Sequence, residues 1–200
     1  MLDNQVSCKT VREQIIDRLR TEILTGQLPG GQRMLEVELA QRFRLSRGPI
    51  RDALLQLTAE GLLEAKPNCG ATVAEPPTED IRATIIKMRR MLEVFAGKLL
   101  SRTITEGGIA QLRAQVLLHR EACQKGDMTQ VVRHDLRFHE MLFELAERPE
   151  LIGLWRPIVL RMRLPYSRHK NLEESAAEHE KIVDALEARD AKAVAQALEG

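Results

Sequence analysis

Apolar positions recur every three or four residues through most of this chain. Over residues 11–25, Val11, Ile15, Ile16, Leu19, Ile23 and Leu24 mark one face of a helix, and Gly26 with Leu28-Pro29-Gly30-Gly31 supplies a stop and a turn. Leu35, Leu39, Ala40 and Phe43 predict a second helix of two turns, ending near Arg42 or Phe43. After the tight connection Arg44-Leu45, Ser46 stands where an N-cap belongs, its hydroxyl placed to accept from a first-turn amide. Pro49 falls where a missing N–H costs nothing. A third helix over residues 47–60 buries Ala53, Leu54 and Leu57 and stops at Gly61.

The period then shortens. Extended runs at residues 62–65 and 71–74 flank Lys66-Pro67-Asn68-Cys69-Gly70 and predict a small hairpin. Helix, short helix, tight turn, helix and hairpin compose a winged helix-turn-helix domain over residues 1–75, in which the third helix enters the major groove of DNA. Glu75-Pro76-Pro77 is a stiff connection, with a boundary expected near residue 77, and Thr78, Glu79 and Asp80 open a new helix. From there the pattern is helical throughout, at 79–102, 106–125, 128–147, 149–164, 172–188 and 190–198. Pro149 should open a helix, Pro157 kink it and Pro165 end it, leaving residues 164–171 as a loop. The fold class expected is mainly α: a winged helix-turn-helix followed over residues 76–200 by an all-α antiparallel bundle.

Composition narrows the class. Across 200 residues, 44% hydrophobic and 30% charged content describes an ordinary globular chain and excludes disordered, collagenous and disulfide-scaffold classes. No run approaches the roughly 18–20 apolar residues of a membrane span, and Asp3, Lys9, Arg12, Glu13, Asp17, Arg18 and Arg20 interrupt the first thirty residues as no secretory signal would. A cytoplasmic protein with no membrane partner is expected. Cys8, Cys69 and Cys123 are widely spaced, with no Cys-x-x-Cys pair, and read as free thiols.

A net charge of +1 conceals a local excess. Residues 1–75 hold ten basic and ten acidic side chains, yet residues 41–51 carry Arg42, Arg44, Arg47 and Arg51 with no acid. On charge alone such a run is as readily a solvated face. Its position at the start of the third helix points to DNA: Arg47 and Arg51, four apart, share a face, and a guanidinium matches guanine O6 and N7 or bridges phosphate oxygens. The helix N-terminus itself favours a phosphate.

In the second half the informative residues are polar ones on apolar stripes. Val131, Phe138, Leu142, Leu145 and Ala146 define one face, and Asp135 and His139 fall on it one turn apart; His179 lies among Ala176, Ile182, Val183 and Leu186. A buried carboxylate needs a partner, which is either a simple Asp-His hydrogen bond or a metal ion held by Asp135, His139 and His179. His119, His134 and His169 read as surface or structural, His134 pointing about 100° away from Asp135. Arg89, between Ile85 and Leu92, is placed either to clamp the far end of an organic acid or to pair with Glu93 at i, i+4.

Two resemblances sharpen this picture. Leu35-Glu36-x-x-Leu39-Ala40, then Leu45-Ser46-Arg47-Gly48-Pro49-Ile50-Arg51-Asp52-Ala53-Leu54, Leu57-x-x-Glu60-Gly61-Leu62 and Asn68-x-Gly70-Ala71-x-Val73 resemble the DNA-binding domain of GntR-family bacterial transcription regulators over roughly residues 11–75. The resemblance implies that Ser46, Arg47, Gly48 and Arg51 approach phosphates and bases, and that a wing with Lys66, Asn68 and Gly70 reaches the minor groove. Gly48 stands where that family usually has Thr or Ser, which removes a hydroxyl contact, and Cys69 replaces a common basic or polar wing residue. Arg89-x-x-Leu92-Glu93, Asp135-x-x-Phe138-His139 and Glu178-His179-x-x-Ile182-x-x-Ala185-Leu186-x-x-x-Asp190 resemble the FCD effector-binding domain.

That subfamily's metal set of one Asp and three His implies a divalent ion, zinc or nickel, on Asp135, His139 and His179. A fourth histidine is expected near position 201, just past Gly200, so that either the chain is cut short or one ligand is missing. The function expected is a ligand-responsive regulator, in the repressor sense, that binds a pseudo-palindromic operator as a homodimer and senses a small organic acid. The competing readings are a metal-dependent bundle enzyme joined to a DNA-binding domain, a regulator with a metal-free pocket of the fatty acyl-CoA type, and a purely structural protein. No general base or nucleophile motif accompanies the Asp-His set, so an enzyme is not expected.

Overall fold

A computed structural model of the chain describes residues 10–66, 70–162, 164 and 172–199. Its first helix, α1 (Val11–Leu24), starts in a capping box: Glu13 N–H donates to the Thr10 hydroxyl, and Thr10 N–H donates to the Glu13 carboxylate. Helices α2 (Glu36–Phe43) and α3 (Arg47–Ala59) follow. Ile50, Ala53, Leu54 and Leu57 turn inward from α3 onto Ile15, Ile16, Leu19 and Ile23 of α1, closing a small hydrophobic core.

Buried charge fixes the angle between these helices. Arg20 of α1 donates to both Glu60 oxygens, from Nε at 2.8 Å and Nη2 at 2.7 Å, and Nη1 donates to Asp17 at 2.6 Å. Glu22, on the same helix, takes both donors of Arg42, with Nη1 at 2.8 Å. These bidentate pairs orient α3 and α2 against α1.

The hairpin is present as β2 (Leu63–Lys66) and β3 (Gly70–Val73), antiparallel, with Leu63 opposite Val73 and Lys66 opposite Gly70. A third strand not foreseen from sequence, β1 (Arg33–Met34), pairs with the other edge of β3, giving the order β1-β3-β2. Two residues are too few to show a period of two, so the hydrophobic pattern carried no sign of it. Gly30 has a packing role in the turn before β1, since a Cβ there would stand 2.6 Å from Glu75 Oε2.

The second half is helical: α4 (Glu79–Thr103), α5 (Glu106–Lys125), α6 (Met128–Leu145), α7 (Ile152–Met162), α8 (Leu172–Glu187) and α9 (Ala191–Glu199). α4, about 37 Å long by its 25 residues, packs along α6, α7, α8 and α9, while α5 lies between α6 and α8. The expected helix at 149–164 is instead a single 3-10 turn at Pro149–Leu151, followed by α7, which ends at Met162. α7 runs unbroken through Pro157. Pro165 and most of the expected 164–171 loop lie outside the described residues. The two halves meet where α1 touches α6 and where Arg161 of α7 donates to the Gly61 carbonyl at 3.3 Å. Between them lies a cavity of about 930 Å³, lined by Asp17, Arg18 and Thr21 of α1, Arg133 and Arg137 of α6, and Arg156 of α7.

Candidate nucleic-acid interface and buried histidine cluster

The turn between α2 and α3 is three residues long, and Arg44 adopts a left-handed conformation with φ 55° to close it. This holds the N-terminus of α3 clear of the core, with Ser46, Arg47, Gly48 and Arg51 all exposed. Ser46 takes the N-cap position with extended backbone, as its place in the sequence predicts, but its hydroxyl makes no capping bond. The first-turn amides are thus left without a side-chain cap at an exposed helix N-terminus, which favours a phosphate.

The four arginines of residues 41–51 divide by role. Arg42 is committed to Glu22, and with Arg18 it brackets the Phe43 ring at 5.3 and 5.4 Å. Arg44 closes the turn. Arg47 donates from Nη2 to Glu36 Oε2 at 2.8 Å across an exposed pair, which is worth about 0–1 kcal/mol and leaves the guanidinium exchangeable for a phosphate. Arg51 lies on the same exposed face one turn on. Nothing stands within 4 Å of a Cβ built on Gly48, so its lack of a side chain answers no packing demand. In the wing, Gly70 has φ 76° and is exposed; Lys66 ends β2 opposite it, and Asn68 and Cys69 lie outside the described residues.

The bundle brings four ionisable side chains into one buried cluster. Asp135 and His139 of α6 and His179 of α8 are buried, as their stripes predict, and His119 of α5 joins them. His119 is fully buried, so of its two readings, surface or structural, the surface one does not hold: α5 packs on both α6 and α8, so the side carrying Leu112, Val116 and His119 faces inward. The ring centroids of His119 and His179 are 4.6 Å apart, and those of His139 and His179 are 5.2 Å apart, with Phe138 edge-on to both His139 and His179. His179 Nε2 is 3.5 Å from Asp135 Oδ1. Ligand atoms of His119, Asp135 and His179 all fall within 4.8 Å of one another. His134 points elsewhere, taking a hydrogen bond at Nδ1 from the Gln115 amide at 3.0 Å.

Next to this group lies a network that sequence reading saw only in part. Glu93 is fully buried and takes Arg89 Nε at 2.8 Å and Trp155 Nε1 at 2.7 Å on the same oxygen. Burial pushes its carboxyl up, but the charge and hydrogen bond of the Arg89 guanidinium and the Trp155 bond outweigh it and hold the group below its ordinary value. The i, i+4 pair weighed for Arg89 is thus the arrangement observed. Arg89 Nη2 also stands 3.3 Å from His139 Nε2. Burial, offset in part by Glu93, pushes His139 down to about 3, so the ring is neutral. The signal available for Glu93 and Trp155 was slight: one Arg-x-x-x-Glu spacing and the single tryptophan of the chain.

The description "Bacterial regulatory proteins, gntR family" matches residues 11–73, and "FCD domain" matches residues 84–200. A "Probable D-xylose utilization operon transcriptional repressor" of Paenarthrobacter nicotinovorans is 30% identical over 94% of this chain and 84% of that protein. The "HTH-type transcriptional repressor RspR" of Escherichia coli is 27% identical over 94% of this chain and 84% of that protein. Among solved structures, E. coli McbR/YncC superposes with a TM-score of 0.81 at 25% identity, over 95% of this chain and 92% of that one.

Proposed function

The chain belongs to the gntR family of bacterial regulatory proteins, with an FCD domain as its second half, and from that premise we propose how it works as a regulator. It is a DNA-binding transcriptional regulator, not an enzyme, and its relatives include named repressors. In our reading it is a cytoplasmic repressor that binds a pseudo-palindromic operator as a homodimer and responds to a small organic acid held in the bundle, with the domain boundary near residue 77. The observation that carries the DNA-reading assignment is the N-terminal end of α3. Ser46, Arg47, Gly48 and Arg51 stand exposed there, and the core of that helix is locked to α1 by Arg20 and Glu60. Lys66, Asn68 and Gly70 form the wing in this reading.

A second copy of the chain is supported by α4, where Ile81, Met88 and Phe95, spaced by seven, form an exposed apolar line flanked by Met91. The cluster around Asp135 and His179 supports a divalent ion, zinc or nickel, because a carboxylate and imidazoles are the donors such ions take, and a buried carboxylate is stabilised by a positive charge beside it. Bound there, the ion would act as a Lewis acid with positions open to a carboxylate of the effector. Arg89, at the edge of the cluster, would share its guanidinium between Glu93 and that effector.

The helix that carries Asp135 and His139 inward also carries Arg133 and Arg137 toward α1, and α1 is bolted to α3 by Arg20. A shift of α6 on effector binding therefore has a contiguous route to the DNA-reading helix. The test is selection of duplexes from a random pool, followed by titration against salt. A pseudo-palindromic winner is expected, with log affinity falling linearly in log salt, and with binding lost in the Arg47→Ala, Arg51→Ala double variant. Retained affinity in that folded double variant would sink the assignment.

A further inference from the structure

The cavity between the two halves is large and basic enough to be a ligand site of its own. Its volume of about 930 Å³ falls within the roughly 300–1,000 Å³ of small-molecule sites, which gather at domain interfaces. We propose that it takes an organic phosphate, a phosphate monoester with an apolar body, held by arginines of α1, α6 and α7 against a wall of leucines. Among the described residues, none of His119, Asp135, His139 and His179 lines it, so this site is separate from the buried cluster.

Charge selects an anion. Among the described residues, Arg18, Arg20, Arg133, Arg137 and Arg156 line the cavity against only Asp17, Glu22 and Glu140. Partners standing outside the lining reduce this excess: Arg20 pairs with Glu60, Arg137 with Glu144, and Glu22 with Arg42. A positive charge still remains, and it rests on Arg133, which makes no hydrogen bond or ion pair among the described residues. Arg133 and Arg137 also stand at i, i+4 on α6, where like charges repel, and an anion between them relieves that repulsion.

The donors favour a phosphate over a carboxylate. Arg18 gives only its Nε to Glu22, at 3.2 Å, and Glu22 already takes both donors of Arg42. The Arg137–Glu144 pair is exposed, and such pairs are weak enough to exchange for a ligand. Gln115 adds a neutral donor indirectly. Its Nε2 donates to the His134 carbonyl at 2.9 Å, which fixes the amide orientation, and also to His134 Nδ1 at 3.0 Å, so the ring hydrogen is on Nε2. Burial and the neighbouring Arg133 push His134 down, which keeps the ring neutral. Guanidiniums from three helices can meet the three outer oxygens of a phosphate, whereas a carboxylate offers two oxygens in one plane.

The rest of the lining calls for an apolar body on the ligand. Leu118 of α5 is exposed, and with Val132 and Leu136 of α6 and Leu160 of α7 it gives the cavity a hydrocarbon side next to its arginines. Arg18 belongs to the DNA-reading half, and Arg133, Arg137 and Arg156 belong to the bundle. A ligand that touches both favours the arrangement that brings them together, by contacts that an occupant of the histidine cluster does not make.

The experiment is calorimetric titration of the full chain with phenyl phosphate, the simplest monoester with an aromatic ring, and with inorganic phosphate and benzoate for comparison. We expect phenyl phosphate to bind at least about tenfold more tightly than either, since inorganic phosphate lacks the ring and benzoate the third oxygen. The Arg18→Gln, Arg133→Gln double variant changes two exposed side chains, and circular dichroism checks its fold. It should bind phenyl phosphate about tenfold or more weakly. Arg47→Ala, at the head of α3, and Asp135→Asn, in the histidine cluster, should each stay within about twofold of the wild type, as distant sites do. No binding by the wild type up to about 10 mM would overturn the proposal. So would equal affinity for either comparison anion, and so would loss of binding in Arg47→Ala or Asp135→Asn with retention in the arginine double variant.

Discussion

Trp155 of α7 donates its indole N–H to the carboxylate of Glu93 on α4 at 2.7 Å, and both side chains are fully buried. The same Glu93 oxygen takes Arg89, so one buried charge ties α7 and α4 together beside the histidine cluster. Replacing Trp155 with Phe keeps most of the apolar volume and removes one donor. We expect a loss of about 1–3 kcal/mol in the free energy of unfolding by urea. A Trp155→Phe protein as stable as the wild type would show that Arg89 alone satisfies Glu93.

His139 gives the fold a pH dependence of definite sign. Its folded value of about 3 lies below the roughly 6.5 of an unfolded chain, so the unfolded state takes up a proton first as pH falls. Stability from this group is level above about pH 6.5 and declines from there toward about pH 3, by at most about 1.4 kcal/mol per pH unit. Glu93, held low, adds a loss of the same sign in more acid solution. Thermal midpoints measured from about pH 8 down to pH 4.5 should fall for the wild type and flatten for His139→Gln. Equal slopes in the two proteins would contradict a neutral, buried His139.

Gly48 has open space around it, so a side chain fits there without displacing anything. Gly48→Ser should leave stability unchanged or raise it by about 0.5 kcal/mol through helix propensity. It also places a hydroxyl among the outward amides at the start of α3. Fluorescence anisotropy on the selected duplex should show tighter binding, by about fivefold if the hydroxyl adds one phosphate bond of ~1 kcal/mol. Weaker binding by Gly48→Ser would mean that DNA approaches this backbone too closely to admit a side chain.

The packing of α9 on α4 depends on Gly97. A Cβ there would stand 2.7 Å from Leu198 Cδ1 and 2.8 Å from Val194 Cγ1. The leucine tip can swing away, but the β-branched valine cannot. Gly97→Ala should therefore cost about 1–2 kcal/mol net, since overpacking of about 1–3 exceeds the propensity gain of about 1. Adding Val194→Ala should recover most of that loss. Urea unfolding of the single and double variants checks both statements, and additive losses would place the strain elsewhere.

Much of this architecture was legible in one dimension because helices and their stops depend on neighbours a few residues away. The ends of α1, α3, α5 and α8 fall within two residues of positions marked by Gly26, Gly61, Gly126 and the apolar stripes. Asp135, His139 and His179 were correctly placed on inward faces for the same reason, since a stripe defines its own interior side. The two-residue β1 and the 3-10 turn at Pro149–Leu151 left no such periodic mark. The sequence by itself thus determined a winged helix-turn-helix followed by a helical bundle, with arginines at the head of α3 and a carboxylate and histidines turned inward. Which histidines share a centre was decided only in three dimensions. His119 reaches Asp135 from another helix, and Arg89, Glu93 and Trp155 converge on His139 from two more. Partners between helices depend on packing angle and register, which spacing along the chain does not encode.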